Sequence, residues 1–260
     1  MKILFCGDVV GKTGRRVLAA RAAELARAHG ASLIIANLEN AAAGAGVTPA
    51  TYGQMVQAGV DVATSGNHVF AHKDGLAHID DMPALLRPAN YPPGTPGRGW
   101  LVANTPEGAR VGVVNLVGRV FMDALDCPFR AADAALADLR DRADFVVVDF
   151  HAEATSEKQA MGFYLDGRVA ALIGTHTHVQ TADERILPNG TAYITDVGMT
   201  GCYEGIIGTE PAPVLRRFIQ KLPARFTPLE GRGLLAAVVV AVDVATGRAT
   251  AVERIMVGEE

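Results

Sequence analysis

The stretch RVAALIGTHTH, Arg168 to His178, changes character in one step. An uncharged apolar run from Val169 to Gly174 gives way to His176 and His178 with a single residue between them. Apolar runs this short, alternating with longer Ala-rich segments, read as strands buried on both faces of a largely parallel sheet. The same step recurs towards the N-terminus. DFVVVDF, from Asp144, is followed by His151. VDVATSG, from Val60, is followed by Asn67 and His68. SLIIANL, from Ser32, is followed by Glu39 and Asn40, and KILFCG, from Lys2, by Asp8. Five apolar runs thus deliver two carboxylates, two Asn amides and four of the seven histidines to one edge. In an open α/β sheet that edge, outside the carboxyl ends of the strands, is where ligands bind.

Between these runs lie helical patterns. Arg15 to His29 carries apolar residues at helical spacing and ends at Gly30, a C-cap glycine. Thr48 to Ala58 has Thr48 as N-cap, Pro49 at the first helical position and Gly59 as its stop. Asp74 to Leu86, Ala131 to Ala143 and Pro213 to Lys221 read as further helices. Arg110 and Thr191 open two more strands, and the tail folds into a hairpin at Thr246-Gly247. The fold class expected is α/β, a sandwich with a mixed central sheet flanked by helices and the active site at the strand C-terminal ends. A single domain, 1–260, is expected, with a small cap or loop insertion within 72–110. The proline-rich loop from Arg87 to Trp100 belongs to that insertion.

Composition narrows the function. The 260 residues are 49% hydrophobic and 20% charged with a net charge of -4, which excludes a disordered or fibrous chain. It gives no electrostatic basis for binding duplex nucleic acid or a membrane surface. Cys6, Cys127 and Cys202 form no CxxC pair, which argues against a disulfide framework or a thiolate zinc site. The apolar run after Lys2 is too short for a signal peptide, and no window of about 18 uncharged apolar residues occurs. A cytoplasmic protein is expected. A homo-oligomer is compatible with this reading, with Trp100 at a subunit contact or on a lid.

Each site residue alone has a plain structural reading: Asp8 a turn aspartate, Glu39-Asn40 turn residues, Asn67 the holder of a left-handed turn, His151 a buried histidine. Together, at five strand ends, they suit divalent Fe, Mn or Zn bound by oxygen and imidazole without thiolate. His29, His72 and His78 are read as structural or solvent-facing, with His72 a candidate substrate contact. CGDVVGKTG offers a competing reading, since Gly11-Lys12-Thr13 match the end of a phosphate-binding loop. The first glycine of that motif is replaced by Cys6, and the reading gives the histidines no role.

Asp8, the GNH string from Gly66 to His68, His151 and the THTH string from Thr175 to His178 resemble, in order, the motif series of the calcineurin-like dinuclear metallophosphoesterases. The first motif there is D-x-H, whereas Asp8 is followed by Val9 and Val10. Glu39 stands where an aspartate is usual. These departures, with GDVVGK, LENAAAG and TDVGMTG, are similar to the YmdB-like branch. The resemblance implies a metallophosphoesterase-like sandwich and hydrolysis of phosphodiesters, 2′,3′-cyclic nucleotides among them, with phosphomonoesters as a further class. It implies two divalent transition metal ions per subunit, iron before manganese or zinc. Asp8, Glu39, Asn40 and His178 would hold one metal, with Asn40 standing in for the missing histidine. Glu39, Asn67, His151 and His176 would hold the other, with Glu39 bridging. Two cations can share a hydroxide that attacks phosphorus while they clamp the attacking and leaving oxygens. His68 is then the general acid or the charge stabiliser on the leaving oxygen, and Thr200 and Gly201 are candidate substrate contacts. The expected partner is a small phosphoester or cyclic nucleotide. A regulator that senses a cyclic nucleotide with little turnover is the alternative from another class.

Overall fold

The computed structural model describes residues 1–259. Its framework is two mixed β-sheets packed face to face, with helices on both outer surfaces. The first sheet contains β1 (Lys2–Cys6), β2 (Asp8–Val9), β3 (Leu33–Asn37) and β4 (Val62–Thr64), joined by three later strands. The connecting helices are α1 (Gly11–His29), α2 (Pro49–Gln57) and the short α3 (Lys73–Ala77). The second sheet is built from β5 (Trp100–Asn104), β6 (Arg110–Val117), β7 (Phe145–His151), β8 (Ala171–Thr175), β9 (Arg185–Ile186) and β10 (Ala192–Ile194). Helices α4 (Pro128–Leu139) and α5 (Thr155–Leu165) connect its central strands. The chain then returns to the first sheet through β11 (Met199–Cys202), α6 (Pro211–Gln220), β12 (Gly233–Asp243) and β13 (Arg248–Gly258). The strand order is β2-β11-β12-β1-β3-β4, with β13 on the other edge of β12, and β5-β6-β7-β8-β10-β9 in the second sheet.

Strand alternation explains the layers. Ile3 and Phe5 of β1, Leu33 and Ile35 of β3, Val111 and Val113 of β6, and Val147 and Ile173 form the core between the sheets. The residues between them face outward: Leu4 and Cys6 pack with Val17 and Leu18 of α1, and Val114, Val146 and Val148 with Ala135 and Met161 of the other helical layer. A strand buried on both sides has no polar face to show, so these runs are continuously apolar. The expected α/β sandwich is present, with a mixed sheet on each side of its core.

Local expectations were met where capping chemistry is explicit. Gly30 takes φ 68°, and the Thr48 side chain accepts from Thr51 N with Pro49 in the first turn. Two helices differ. The first starts at Gly11, not Arg15: a Cβ on Gly14 would lie 2.3 Å from Thr200 O, so glycine lets this turn lie against β11. Asp74 to Leu86 yields only α3 and a 3₁₀ turn at Ile79–Asp81, because Pro83 holds Met82 in a non-helical conformation (φ -108°, ψ 75°). Arg87 fastens the proline-rich loop through Pro88 O, Thr95 O and Pro96 O. Trp100 opens β5 and donates to Asp138. No helix among the described residues is long and apolar enough to cross a membrane.

Candidate metal centre

At the carboxyl ends of the strands the layer between the sheets turns polar. Asn37, Thr64, Asn115, Asp149 and Thr175 are fully buried there, in the same alternation that places Ile35, Val62, Val113, Val147 and Ile173 in the apolar core below. Asp149 organises this floor. It accepts from Asn37 Nδ2 (2.9 Å), Thr175 Oγ1 (2.7 Å) and Thr64 Oγ1. Burial pushes its carboxyl up to about 7.

On the floor stand the residues from the five strand ends. Asp8, Glu39, Asn40 and His151 are buried. His151 Nε2 lies 3.0 Å from Glu39 Oε2, 3.2 Å from Asn67 Oδ1 and 3.0 Å from His176 Nδ1. Asn40 Nδ2 donates to Glu39 Oε1 and lies 3.1 Å from His178 Nε2, while His178 Nε2 is 4.0 Å from Asp8 Oδ1. All seven expected ligands converge, with Glu39 between the two groups. His176 and His178 reach the centre through left-handed backbone, φ 100° and 64°, a conformation that costs on the order of 1–3 kcal/mol per residue.

Each histidine that faces the centre is held by its other nitrogen. His151 Nδ1 is 2.8 Å from Thr175 Oγ1, His176 Nε2 is 3.1 Å from Glu153 and His178 Nδ1 is 3.0 Å from Ile207 O. This is the arrangement that fixes ring orientation in metal sites. Asp196 secures the histidine loop from below. It accepts from Thr177 N, Thr177 Oγ1 and Gly198 N, and it pairs with the buried Lys158 ammonium at 2.8 Å.

The buried carboxylates draw positive charge to this point. Burial would raise Glu39, yet the charge and hydrogen bond of His151, together with those of His68, hold its carboxyl well below the usual range. Burial would lower His151, and the Glu39 and Asp8 carboxylates instead bring it up to about 9. Burial and the charge of His151 press His176 down to about 3. Asp8 Oδ1 is buried without a hydrogen-bond partner, a costly state for a carboxylate oxygen. A divalent cation satisfies that oxygen and the lone pairs gathered around His151 Nε2, so the donor set fits a metal. Glu39, His151 and His176 place donor atoms within 4.8 Å of one another.

His68 sits at the edge. Its Nδ1 is 3.1 Å from both Glu39 Oε1 and Asn40 Oδ1, and its side chain is 44% exposed. It lines a cavity of about 290 Å³ with His176, His178, Ile207, Phe226 and Pro228. The hydrogen bond to Glu39 raises its pKa. Gly66, just before this pair, has no room for a side chain: a Cβ would fall 2.2 Å from Glu39 Oε2 and from the His151 ring.

The profile of the YmdB-like protein family matches residues 4–255. This chain belongs to the YmdB-like family. It is 48% identical over 262 residues to a Bacillus subtilis protein named 2′,3′-cyclic-nucleotide 2′-phosphodiesterase, covering 100% of this chain and 98% of that one. Among solved structures, a hypothetical protein from Thermus thermophilus superimposes with a TM-score of 0.93 at 42% identity, with full coverage of both chains. A phosphatase from Mycoplasma pneumoniae does so with a TM-score of 0.93 at 36% identity, covering 100% of this chain and 94% of that one.

In this YmdB-like chain the remaining expectations fall outside the centre. Thr200 is buried in β11 and Gly201 packs against Val10 and Met199, and neither lines the cavity. His72 Nε2 contacts Ala42 O, bracing the loop that follows Asn40. Lys12 turns outward to Glu230 at 3.2 Å, while Val10 N and Gly11 N are bonded to Thr200 O and Asn40 O, so no phosphate cradle forms there. Asp149, Glu153, Lys158, Thr175 and Asp196 are the supporting residues that sequence reading did not assign. The visible signals were a lone Asp inside the apolar VVVDF run and the presence of Thr175 and Asp196 in the THTH and TDVGMTG strings.

Proposed function

We propose that this chain hydrolyses the P–O2′ bond of 2′,3′-cyclic nucleotides with two divalent metal ions. The relative of that name, similar along its whole length, supports the substrate class. The observation that carries the metal is the buried Asp8 Oδ1, without a hydrogen-bond partner, beside the crowd of donors at His151 Nε2. Asp8, Glu39, Asn40 and His178 would hold one ion, and Glu39, Asn67, His151 and His176 the other. When bound, the ions supply Lewis-acid activation of the attacking water and neutralise charge on phosphorus.

The chain's own residues supply position and a proton. Only two carboxylates face two dications, so the occupied centre stays positive and attracts an anionic diester. Both neighbours of His68 Nδ1 are oxygens, so that nitrogen carries a proton and Nε2 is left to serve the leaving group. The attacking water releases one proton to solvent; as its oxygen bonds to phosphorus and the P–O2′ bond breaks, the His68 imidazolium gives its Nε2 proton to O2′ and is reprotonated from solvent. The apolar wall of Ile207, Phe226 and Pro228 limits water around the reacting group.

The test pairs elemental analysis with turnover of 2′,3′-cyclic AMP. The expected result is close to two metals per chain, a 3′-phosphate product and loss of activity on chelation. Full activity with less than one metal per chain refutes the proposal. His68→Ala is expected to lower turnover by roughly 10²–10⁴-fold with metal content unchanged. Loss of metal along with turnover would remove His68 from the acid role.

A further inference from the structure

Phe121 is 89% exposed and stands beside the metal centre. Phe121, Met122 and Asp123 form one wall of a recess of about 340 Å³ whose other wall is Asn67 and His176. Its backbone has φ 61° at the third position of the turn from Arg119 to Met122, closed by Met122 N donating to Arg119 O. That position favours glycine, and a bulky residue there is an outlier.

The turn is nonetheless tightly held. The buried carboxylate of Glu157 accepts from Arg119 N at 3.0 Å and Val120 N at 3.2 Å. The buried Asn90 side chain clasps both feet of the loop, donating to Val117 O and Asp126 O and accepting from Val117 N. A phenylalanine ring in water adds nothing to the fold, and a glycine would serve the turn better, so the ring's use lies in the recess. Its faces are free, since it takes part in none of the aromatic or cation–π pairs among the described residues. Phe226, on the other side of the centre, has Arg217 5.2 Å from its ring centroid. The neighbouring Asp123 makes this wall unsuitable for a phosphate and suitable for an uncharged ring.

We propose that Phe121 determines specificity by stacking on the nucleobase of the substrate while the cyclic phosphate sits at the metals. The proposal rests on the phosphodiesterase reading above, and its test separates the two. Kinetics are measured with 2′,3′-cyclic AMP and with ribose 2′,3′-cyclic phosphate, which lacks the base. Loss of a base–aromatic stack weakens binding by roughly 5- to 150-fold, so Phe121→Ala should raise KM for the nucleotide by at least about fivefold with kcat within about twofold. The loss should fall on the nucleotide and spare the base-free substrate, and Phe121→Trp should restore KM. Phe121→Gly should show the same KM defect without loss of thermal stability, which excludes a folding role. An equal loss on both substrates, no loss on either, or a fall in stability with Phe121→Gly would overturn the assignment. A wild-type enzyme that turns over neither cyclic phosphate would overturn the phosphodiesterase reading, and the role of Phe121 with it.

Discussion

The layer between the two sheets has two halves built by one alternation. In the lower half the inward positions are Ile3, Phe5, Ile35, Val113, Val147 and Ile173. In the upper half the same strands offer Asn37, Asn115, Asp149 and Thr175. The lower half drives folding by apolar burial, at about 25 cal/mol per Å². The upper half gives little net stability, because its hydrogen bonds replace bonds to water, but every side chain in it has a fixed direction. Stability and aim are thus separated along the length of the strands, and substitutions in the two halves should separate them in experiment.

The largest effects come from a matched pair. Phe5→Ala removes a fully buried ring and should cost about 3–5 kcal/mol in denaturant unfolding. Lys158→Met leaves the buried Asp196 carboxylate without its ammonium and should cost a similar amount, about 3–5 kcal/mol. The difference lies in the metal. Folded Phe5→Ala protein should keep its metal affinity. Lys158→Met should lose affinity, because Asp196 holds Thr177 between His176 and His178. Equal metal affinity in the two variants would show that Asp196 does not set the geometry of the loop.

A gentler change probes the floor itself. Asp149→Asn keeps the shape but turns one acceptor into a donor facing Asn37, Thr64 and Thr175. The expected result is a loss of metal affinity of roughly 10–100-fold, transmitted through Thr175 to His151. The fall in stability should be smaller than for Phe5→Ala. Competition with a calibrated chelator measures the first and denaturant unfolding the second. A variant that loses stability yet binds metal normally would make Asp149 a core residue rather than an orienting one.

Why the sequence disclosed the candidate ligands better than the residues that support them follows from this geometry. Asp8, Glu39, Asn67, His151 and His176 stand at breaks between apolar runs and loops, where a change of chemistry is visible in one dimension. Asp149 and Thr175 lie inside or at the end of runs read as strand. Their partners Asn37, 112 positions away from Asp149, and Thr64, 85 away, meet them only when two sheets pack. Lys158 and Asp196 are likewise 38 residues apart. Gly11 and Gly14 misled in the opposite direction. Glycine lowers helix propensity by about 1 kcal/mol, but here the helix needs both: the backbone of β11 leaves no room for a Cβ on Gly14, and Gly11 takes φ 59° with Pro228 2.8 Å from where a Cβ would lie. The strands that lead into the candidate site, the caps and the closing hairpin were legible because their signals are local, whereas β5 and the short, Gly-containing β11 carried no such signal. The division into two sheets was not, because it depends on which runs pair across gaps of tens of residues.

The smallest expected effect is also the most discriminating against the phosphate-binding-loop reading. Lys12 lies close in sequence to Asp8, yet its side chain is 66% exposed and meets only Glu230, itself 63% exposed. Exposed pairs of this kind are worth about 0–1 kcal/mol. Lys12→Ala should therefore leave unfolding free energy within roughly 0.5 kcal/mol and kcat/KM on 2′,3′-cyclic AMP within about twofold. A lysine that neutralised a nucleotide phosphate would be indispensable, because a phosphate-binding loop uses it as a point charge on the transferring group. Retained activity places the chemistry on the imidazole and carboxylate donors at the strand ends. Abolished activity with metal content intact would move it back to the first turn of α1.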